Sequence, residues 1–151
     1  MPSPSRPLIL GVGNRYRRDD GVGAVAAERL AAQGLNGLAA DGDGATLATL
    51  WEGHGAVIVI DAMKSGAAPG TVRRIDAHAG ELPAACGFFN SHAFGLAQAV
   101  ETARVLGKLP AKLIIFGVEG ADFGWGEELS PAVAAALPDL CAAIAAETQE
   151  G

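Results

Sequence analysis

Cysteine is almost missing from this chain of 151 residues, where only Cys86 and Cys141 occur. Two distant cysteines make no disulfide framework. They fit a reduced, cytoplasmic setting in which each is a small buried hydrophobe. Long apolar runs are missing as well. Half of the residues are hydrophobic, yet no run approaches the roughly 18 apolar residues of a membrane span, so no membrane is expected as a partner. Met1 to Arg6 carries no apolar h-region, so no secretory signal is read there. Positive charge is scarce: 11 Lys and Arg stand against 17 Asp and Glu, a formal net charge of −6. That balance argues against a nucleic-acid partner, and the one basic cluster, Arg15, Arg17 and Arg18, is too small to reverse it. No H-E-x-x-H zinc motif, Ser/His/Asp triad or reactive cysteine stands out. What is left is one domain, residues 1–151, long enough to bury a substantial core without staples.

Against these absences stands one dense stretch, Gly11-Val12-Gly13-Asn14-Arg15-Tyr16-Arg17-Arg18-Asp19-Asp20-Gly21-Val22-Gly23. It follows the apolar Leu8-Ile9-Leu10 and precedes an amphipathic stretch from Val22 to Leu30, so a buried strand enters a glycine-rich turn and a helix leaves it. A dinucleotide fingerprint, G-x-G-x-x-G, would need glycine where Tyr16 stands. Asp19 and Asp20 would also repel a diphosphate, so no nucleotide cofactor is expected. Paired carboxylates on such a turn suit a cation or acid/base work.

Strand and helix patterns alternate along the rest. Leu8–Val12, Ala56–Ile60 and Leu113–Phe116 are continuous apolar runs, as in strands of a parallel sheet covered on both faces. Leu35–Ala40 is a weaker strand, and Thr71–Asp76 alternates in the manner of an exposed edge strand. Helical patterns occupy Val22–Gln33, Ala45–Trp51, His92–Leu106 and Pro131–Glu147. Ser130 and Pro131 suit the N-cap and first turn of the last helix, and Pro138 predicts a kink or break within it. The alternation predicts a three-layer α/β/α domain. The glycine-rich, acidic segment 117–128 reads as a mobile loop beside the site.

Ligands of open α/β sheets bind beyond the carboxyl ends of the strands. Carboxylates fall at every such end: Asp19 and Asp20, then Asp41 and Asp43, then Asp61, then Glu119, with Asn14 beside the first pair. Their mutual repulsion calls for a cation or for protons. His92, at a helix start that disfavours the imidazolium form, adds a neutral nitrogen ligand. Two carboxylates and one imidazole suit nickel, zinc or another divalent ion. Each residue also has a plainer reading: Asp19 and Asp20 as carboxylates favoured at a helix start, Asp61 as a turn cap, His54 and His78 as structural histidines.

These motifs, in this order, resemble the hydrogenase maturation proteases. The resemblance is carried by Gly11-Val12-Gly13-Asn14, Asp19-Asp20-Gly21-Val22-Gly23, Asp41-Gly42, Val59-Ile60-Asp61-Ala62, Ser91-His92-Ala93-Phe94-Gly95-Leu96, Gly117-Val118-Glu119 and Leu129-Ser130-Pro131. It implies a phosphorylase/hydrolase-like fold, a five-stranded mixed sheet in order 2-1-3-5-4 with strand 4 antiparallel. It also implies an endopeptidase that trims the C-terminal extension from the precursor of a nickel–iron hydrogenase large subunit. Transferred to this sequence, the metal-contacting and catalytic positions are Asp20, Asp61 and His92, while Asp19 favours the helix start. Asn14, Asp41 and Glu119 are the expected substrate contacts.

The metal so implied is nickel carried by the precursor, with zinc or cadmium able to replace it in vitro. A water activated near that metal, or by Asp61 or Asp20 as general base, would attack the peptide carbonyl. One departure concerns the second strand end: the family usually reads Asp-Gly-Gly-Thr, and this chain has Asp41-Gly42-Asp43-Gly44. Two other functions fit the same residues, a chaperone that holds nickel or the precursor without cutting, and a peptide or amide hydrolase with its own zinc.

Overall fold

A computed structural model describes residues 6–80, 82, 87–89 and 94–149. Five strands, β1 (Leu8–Val12), β2 (Gly37–Ala40), β3 (Ala56–Met63), β4 (Val72–Asp76) and β5 (Lys112–Glu119), form one sheet in the order β2-β1-β3-β5-β4. The first four in that order run parallel, and β4 pairs antiparallel with β5 at the edge. This is the topology that the family resemblance implies. The helices are α1 (Val22–Ala32), α2 (Gly44–Trp51), α3 (Leu96–Val105) and α4 (Pro131–Thr148).

Period-2 alternation divides the inner strands between two cores. Ile9, Ile58, Ile60, Ile114 and Phe116 pack with α1 and α4 through Leu30, Val133, Leu137, Leu140 and Ile144. Leu10, Val57, Val59, Leu113 and Ile115 face the other way, onto α2 and α3 through Leu47, Trp51, Leu96 and Val100. Because β1, β3 and β5 are covered on both faces, they are apolar at every position of the core. The edge strand β4 alternates between exposed and half-buried residues.

Several boundaries differ from those read in the sequence. Asp61 and Glu119 lie inside β3 and β5, where Asp61 pairs with Gly117 and Glu119 with Met63. A charged side chain reads as a strand end, but backbone pairing across inner strands carries the ladder past Asp61 and out to Glu119, the last residue of β5. Segment 117–128 is accordingly not all loop: its first three residues belong to β5. The last helix is one uninterrupted element through Pro138. Both Pro138 and Ala134, whose carbonyl loses its helical donor, are exposed, so water can satisfy that carbonyl. The third helix begins at Leu96 rather than His92, and residues 90–93 lie outside the described set.

By length and composition α4 could cross a membrane, but its apolar stripe belongs to the core. Its buried Glu147 meets Arg74 of β4 at 2.6 Å and Lys112 of β5 at 3.0 Å. Cys141 on the same helix is a free, buried thiol, as expected of it, and burial raises its pKa. Cys86 lies outside the described residues.

Candidate active site

The strand order reverses direction at β1, which has β2 on one side and β3 on the other, and such a switch point opens a crevice at the carboxyl end of the sheet. The residues leaving β1 enter this crevice. Gly13 holds φ at +130°, and a side chain there would collide with the carbonyl of Asp20. A 3₁₀ turn, Arg18–Gly21, then leads directly into α1. Gly11 and Gly23 let that helix lie on β1 itself, since a Cβ on Gly11 would sit 1.9 Å from the carbonyl oxygen of Gly23. A Cβ on Gly23 would in turn lie 2.5 Å from the carbonyl oxygen of Ile60, next to Asp61. The glycines thus bring the first turn against β3.

Asp20 and Asp61 meet across this contact, both buried. Asp20 Oδ2 accepts the backbone N–H of Asn14 at 2.9 Å. Asp61 Oδ1 accepts the N–H of Ala62 at 2.8 Å, and its second oxygen has no donor among the described residues. Burial, and then the negative charge of Asp20, push the Asp61 carboxyl well above its ordinary range, against the smaller opposing effect of the Ala62 amide.

Asp19, its sequence neighbour, stands in the first turn of the 3₁₀ helix and also anchors the loop after β5. Its buried carboxylate accepts the N–H of Ala121 at 2.7 Å, of Asp122 at 3.0 Å and of Ser130 at 2.7 Å. The Ser130 hydroxyl donates to it as well, at 2.8 Å, so Ser130 clamps the turn and makes no side-chain cap on α4. Burial works to raise the Asp19 pKa, but these hydrogen bonds outweigh it and the net shift is downward. The loop after β5 is therefore tied to the first turn, in contrast to the mobile segment read from its composition. Arg18 N–H donates to the Gly126 carbonyl, Gly126 N–H to that of Tyr16, and Arg17 Nε to that of Phe123, all at 2.8 Å.

The other expected residues occupy three places. Asn14 and Asp41 line one open cleft of about 570 Å³ together with Gly13, Arg15, Tyr16 and Ala40. Asp43, the departure from the family pattern, caps α2: its carboxylate accepts the Thr46 N–H at 3.2 Å and hydroxyl at 2.8 Å. Glu119 is buried and holds the segment after β3, accepting from the Ser65 N–H at 2.9 Å and the Gly66 N–H at 3.3 Å. His92 lies outside the described residues. Of its flanks, Phe89 donates its N–H to Ala62 at 2.9 Å, beside Asp61, and Phe94 accepts from Gly44 at 2.7 Å.

Among the described residues no three His, Cys, Asp or Glu side chains gather as a metal site; Asp20 and Asp61 supply two. A second cavity, about 590 Å³, opens near Trp51, His54, Thr102 and Lys108, between α2 and α3. It lies toward the opposite end of the strands, away from the Asp20–Asp61 pair, with Glu52 as its sole lining carboxylate. His78 bonds the Pro110 carbonyl through Nε2 at 2.7 Å, a structural role.

Sequence reasoning missed the aromatic cluster beside the pair. Phe89 and Phe123 stack with ring centroids 4.1 Å apart, and the Arg17 guanidinium lies over the rings of Trp125, at 4.6 Å, and Phe89, at 5.7 Å. Nothing in periodicity links positions 17, 89, 123 and 125; only the closure of the loop does.

The hydrogenase maturation protease family model matches residues 41–147. The hydrogenase expression/formation protein HupD of Rhodobacter capsulatus is 33% identical over 144 residues, covering 89% of this chain and 68% of that protein. HupD of Bradyrhizobium diazoefficiens is 32% identical over 144 residues, covering 88% and 74%. Among solved structures, the hydrogenase maturating endopeptidase HybD from E. coli matches with a TM-score of 0.81 at 28% identity, over 96% of this chain and 93% of that one. The [NiFe] hydrogenase maturation protease HybD from Thermococcus kodakarensis matches with a TM-score of 0.74 at 27% identity, over 95% and 99%. The chain belongs to the hydrogenase maturation protease family and is a peptidase.

Proposed function

We propose that this peptidase removes the C-terminal extension from the nickel-loaded precursor of a nickel–iron hydrogenase large subunit in the cytoplasm, meeting the precursor's nickel through Asp20, Asp61 and His92. The observation that carries the proposal is the buried Asp20–Asp61 pair at the switch point, with the proton affinity of Asp61 raised by burial and by its neighbour's charge. Two carboxylates held together in low dielectric attract a cation strongly, and a cation between them offsets the repulsion that, after burial, raises the proton affinity of Asp61. The second oxygen of Asp61, which has no donor among the described residues, is the one that can meet a ligand. An incomplete ligand set leaves room for a metal that arrives already bound to another chain. Zinc or cadmium fits the same donor set in vitro.

Cleavage requires a water activated beside that metal, or by Asp61 or Asp20 as general base, and a polarised peptide carbonyl. Asn14 and Asp41 line the adjoining cleft, which supports reading them as contacts for the substrate chain. Glu119 acts one step removed, by fixing the segment that follows β3.

Mass spectrometry of a large-subunit precursor before and after incubation tests the proposal. Wild-type protein should shorten the nickel-loaded precursor and leave the nickel-free one intact. Asp61→Asn and His92→Ala should abolish shortening while the circular dichroism spectrum is retained. Capture without loss of mass would point to a chaperone, and cleavage of unrelated peptides with zinc bound to the purified protein would point to a metallohydrolase.

A further inference from the structure

The turn that carries Asp20 holds three arginines, and the structure treats one of them differently. Arg15 pairs with Glu28 at 2.9 Å and Arg18 with Asp122 at 3.5 Å. Arg17 has no carboxylate partner among the described residues, in a chain where acidic side chains outnumber basic ones by 17 to 11. Its guanidinium is nonetheless held in place. Nε donates to the Phe123 carbonyl at 2.8 Å, and the guanidinium lies over the rings of Trp125 and Phe89. The two terminal nitrogens have no acceptor among the described residues. Arg17 is not there to neutralise Asp61, whose proton affinity is set by burial, Asp20 and the Ala62 amide.

Its surroundings are those of a contact surface. Trp125 is 73% exposed and Tyr16 58%, and both sit on the strip that joins the first turn to the loop after β5. Large aromatics and arginine left on a surface mark protein contacts. Phe89, under the guanidinium, is anchored to Ala62, next to Asp61. The strip is therefore continuous with the carboxylate pair.

We infer that Arg17 binds a carboxylate of the polypeptide substrate beside Asp20 and Asp61, with Trp125 and Tyr16 packing against the chain that bears it. This rests on the protease reading above. A guanidinium already fixed by two rings and one carbonyl loses little freedom when its remaining donors meet a planar anion, which suits a specificity-determining contact.

The test measures binding and cleavage separately, on the nickel-loaded precursor and the full-length protein. Arg17→Gln, which retains a donor for Phe123, and Arg17→Ala should weaken precursor binding and raise KM by about tenfold or more, with kcat within about threefold. Arg29→Ala, on the far half of α1, should change neither. Precursors whose acidic side chains near the cleavage point are changed to amides, and one with an amidated C-terminus, locate the carboxylate. The one that matters should weaken binding to wild-type protein and not weaken it further in Arg17→Gln.

KM and affinity within twofold of wild type in both Arg17 variants, with the fold retained, would overturn the inference, as would indifference to every amide. Wild-type protein that binds the precursor without cutting it refutes the protease reading and leaves Arg17 to be judged from the binding ratio. Wild-type protein that neither binds nor cuts overturns both.

Discussion

Replacing Asp19 by asparagine separates the two neighbouring carboxylates of the first turn. Asp19 Oδ2 accepts from Ala121 N–H, Asp122 N–H and the Ser130 hydroxyl, and Oδ1 accepts from Ser130 N–H. The best asparagine rotamer keeps its carbonyl oxygen at the three-donor position, so its NH₂ group faces the Ser130 N–H. The Ser130 N–H and the NH₂ group facing it are both left without an acceptor, and the former alone costs about 1–3 kcal/mol. The other three bonds lose the charge that roughly doubles their strength. A total near 3 kcal/mol is a fair working figure, which in a domain of this length lowers Tm by about 6–12 °C.

Thermal unfolding followed by circular dichroism reads that loss, and amide exchange at Ala121, Asp122 and Ser130 shows where it acts. The pH dependence supplies an independent check. Because the folded pKa of Asp19 lies below its ordinary value of 3.8, its contribution is full above that value and is lost as pH falls through the folded pKa. The asparagine variant should lack that acid-side component. A Tm within about 2 °C of wild type at about pH 7, well under the expected shift, with exchange at the three amides unchanged, would refute the assignment of Asp19 as the anchor of the loop.

Asp61→Asn should have the opposite effect on stability. A carboxyl whose folded pKa is raised favours the folded state fully below its unfolded pKa, near 3.8, and loses that contribution as pH rises through the folded value. The neutral amide, which still accepts from Ala62, should therefore raise Tm at pH 8 and give a shrinking advantage in acid; a lower Tm at pH 8 would contradict this. Glu147 is held down from 4.5 to about 2 by the Arg74 hydrogen bond, against the opposing effect of burial, with help from Lys112. Its stabilisation is present above 4.5 and lost as pH falls toward 2. The shift bounds it at about 3 kcal/mol, and the partial exposure of Arg74 and Lys112 lowers it further. Glu147→Gln should flatten denaturant-measured stability across that window, and an unchanged acid slope would remove the ion-pair explanation.

Chemistry concentrated in short motifs was legible without coordinates. Glycines at 11, 13, 21 and 23 around two aspartates mark a strand-to-helix turn because a residue without a Cβ allows the positive φ found at Gly13 and the close backbone approach found at Gly11 and Gly23. Continuous apolar runs at Leu8–Val12, Ala56–Ile60 and Leu113–Phe116 mark doubly covered strands because burial on both faces removes alternation. The sheet order rested on family resemblance, since periodicity carries no information about which strands are neighbours.

The sequence by itself determined where the strands lie, though not their full extent, together with the turn and the carboxylates near the strands' carboxyl ends, because backbone preference and apolar spacing are local properties. Only the tertiary structure decided what each carboxylate does. Asp19 and Asp20 are adjacent and chemically identical, yet one faces three amides and a hydroxyl of the loop after β5, and the other faces Asp61 across the switch point. Their roles diverge because hydrogen-bond donors and neighbouring charge reach them from residues 40 to more than 100 positions away. The same distance in sequence hid the Arg17 clamp, whose rings come from positions 89 and 125. Burial, charge and close contact act through space, and the chain acquires them only when it closes.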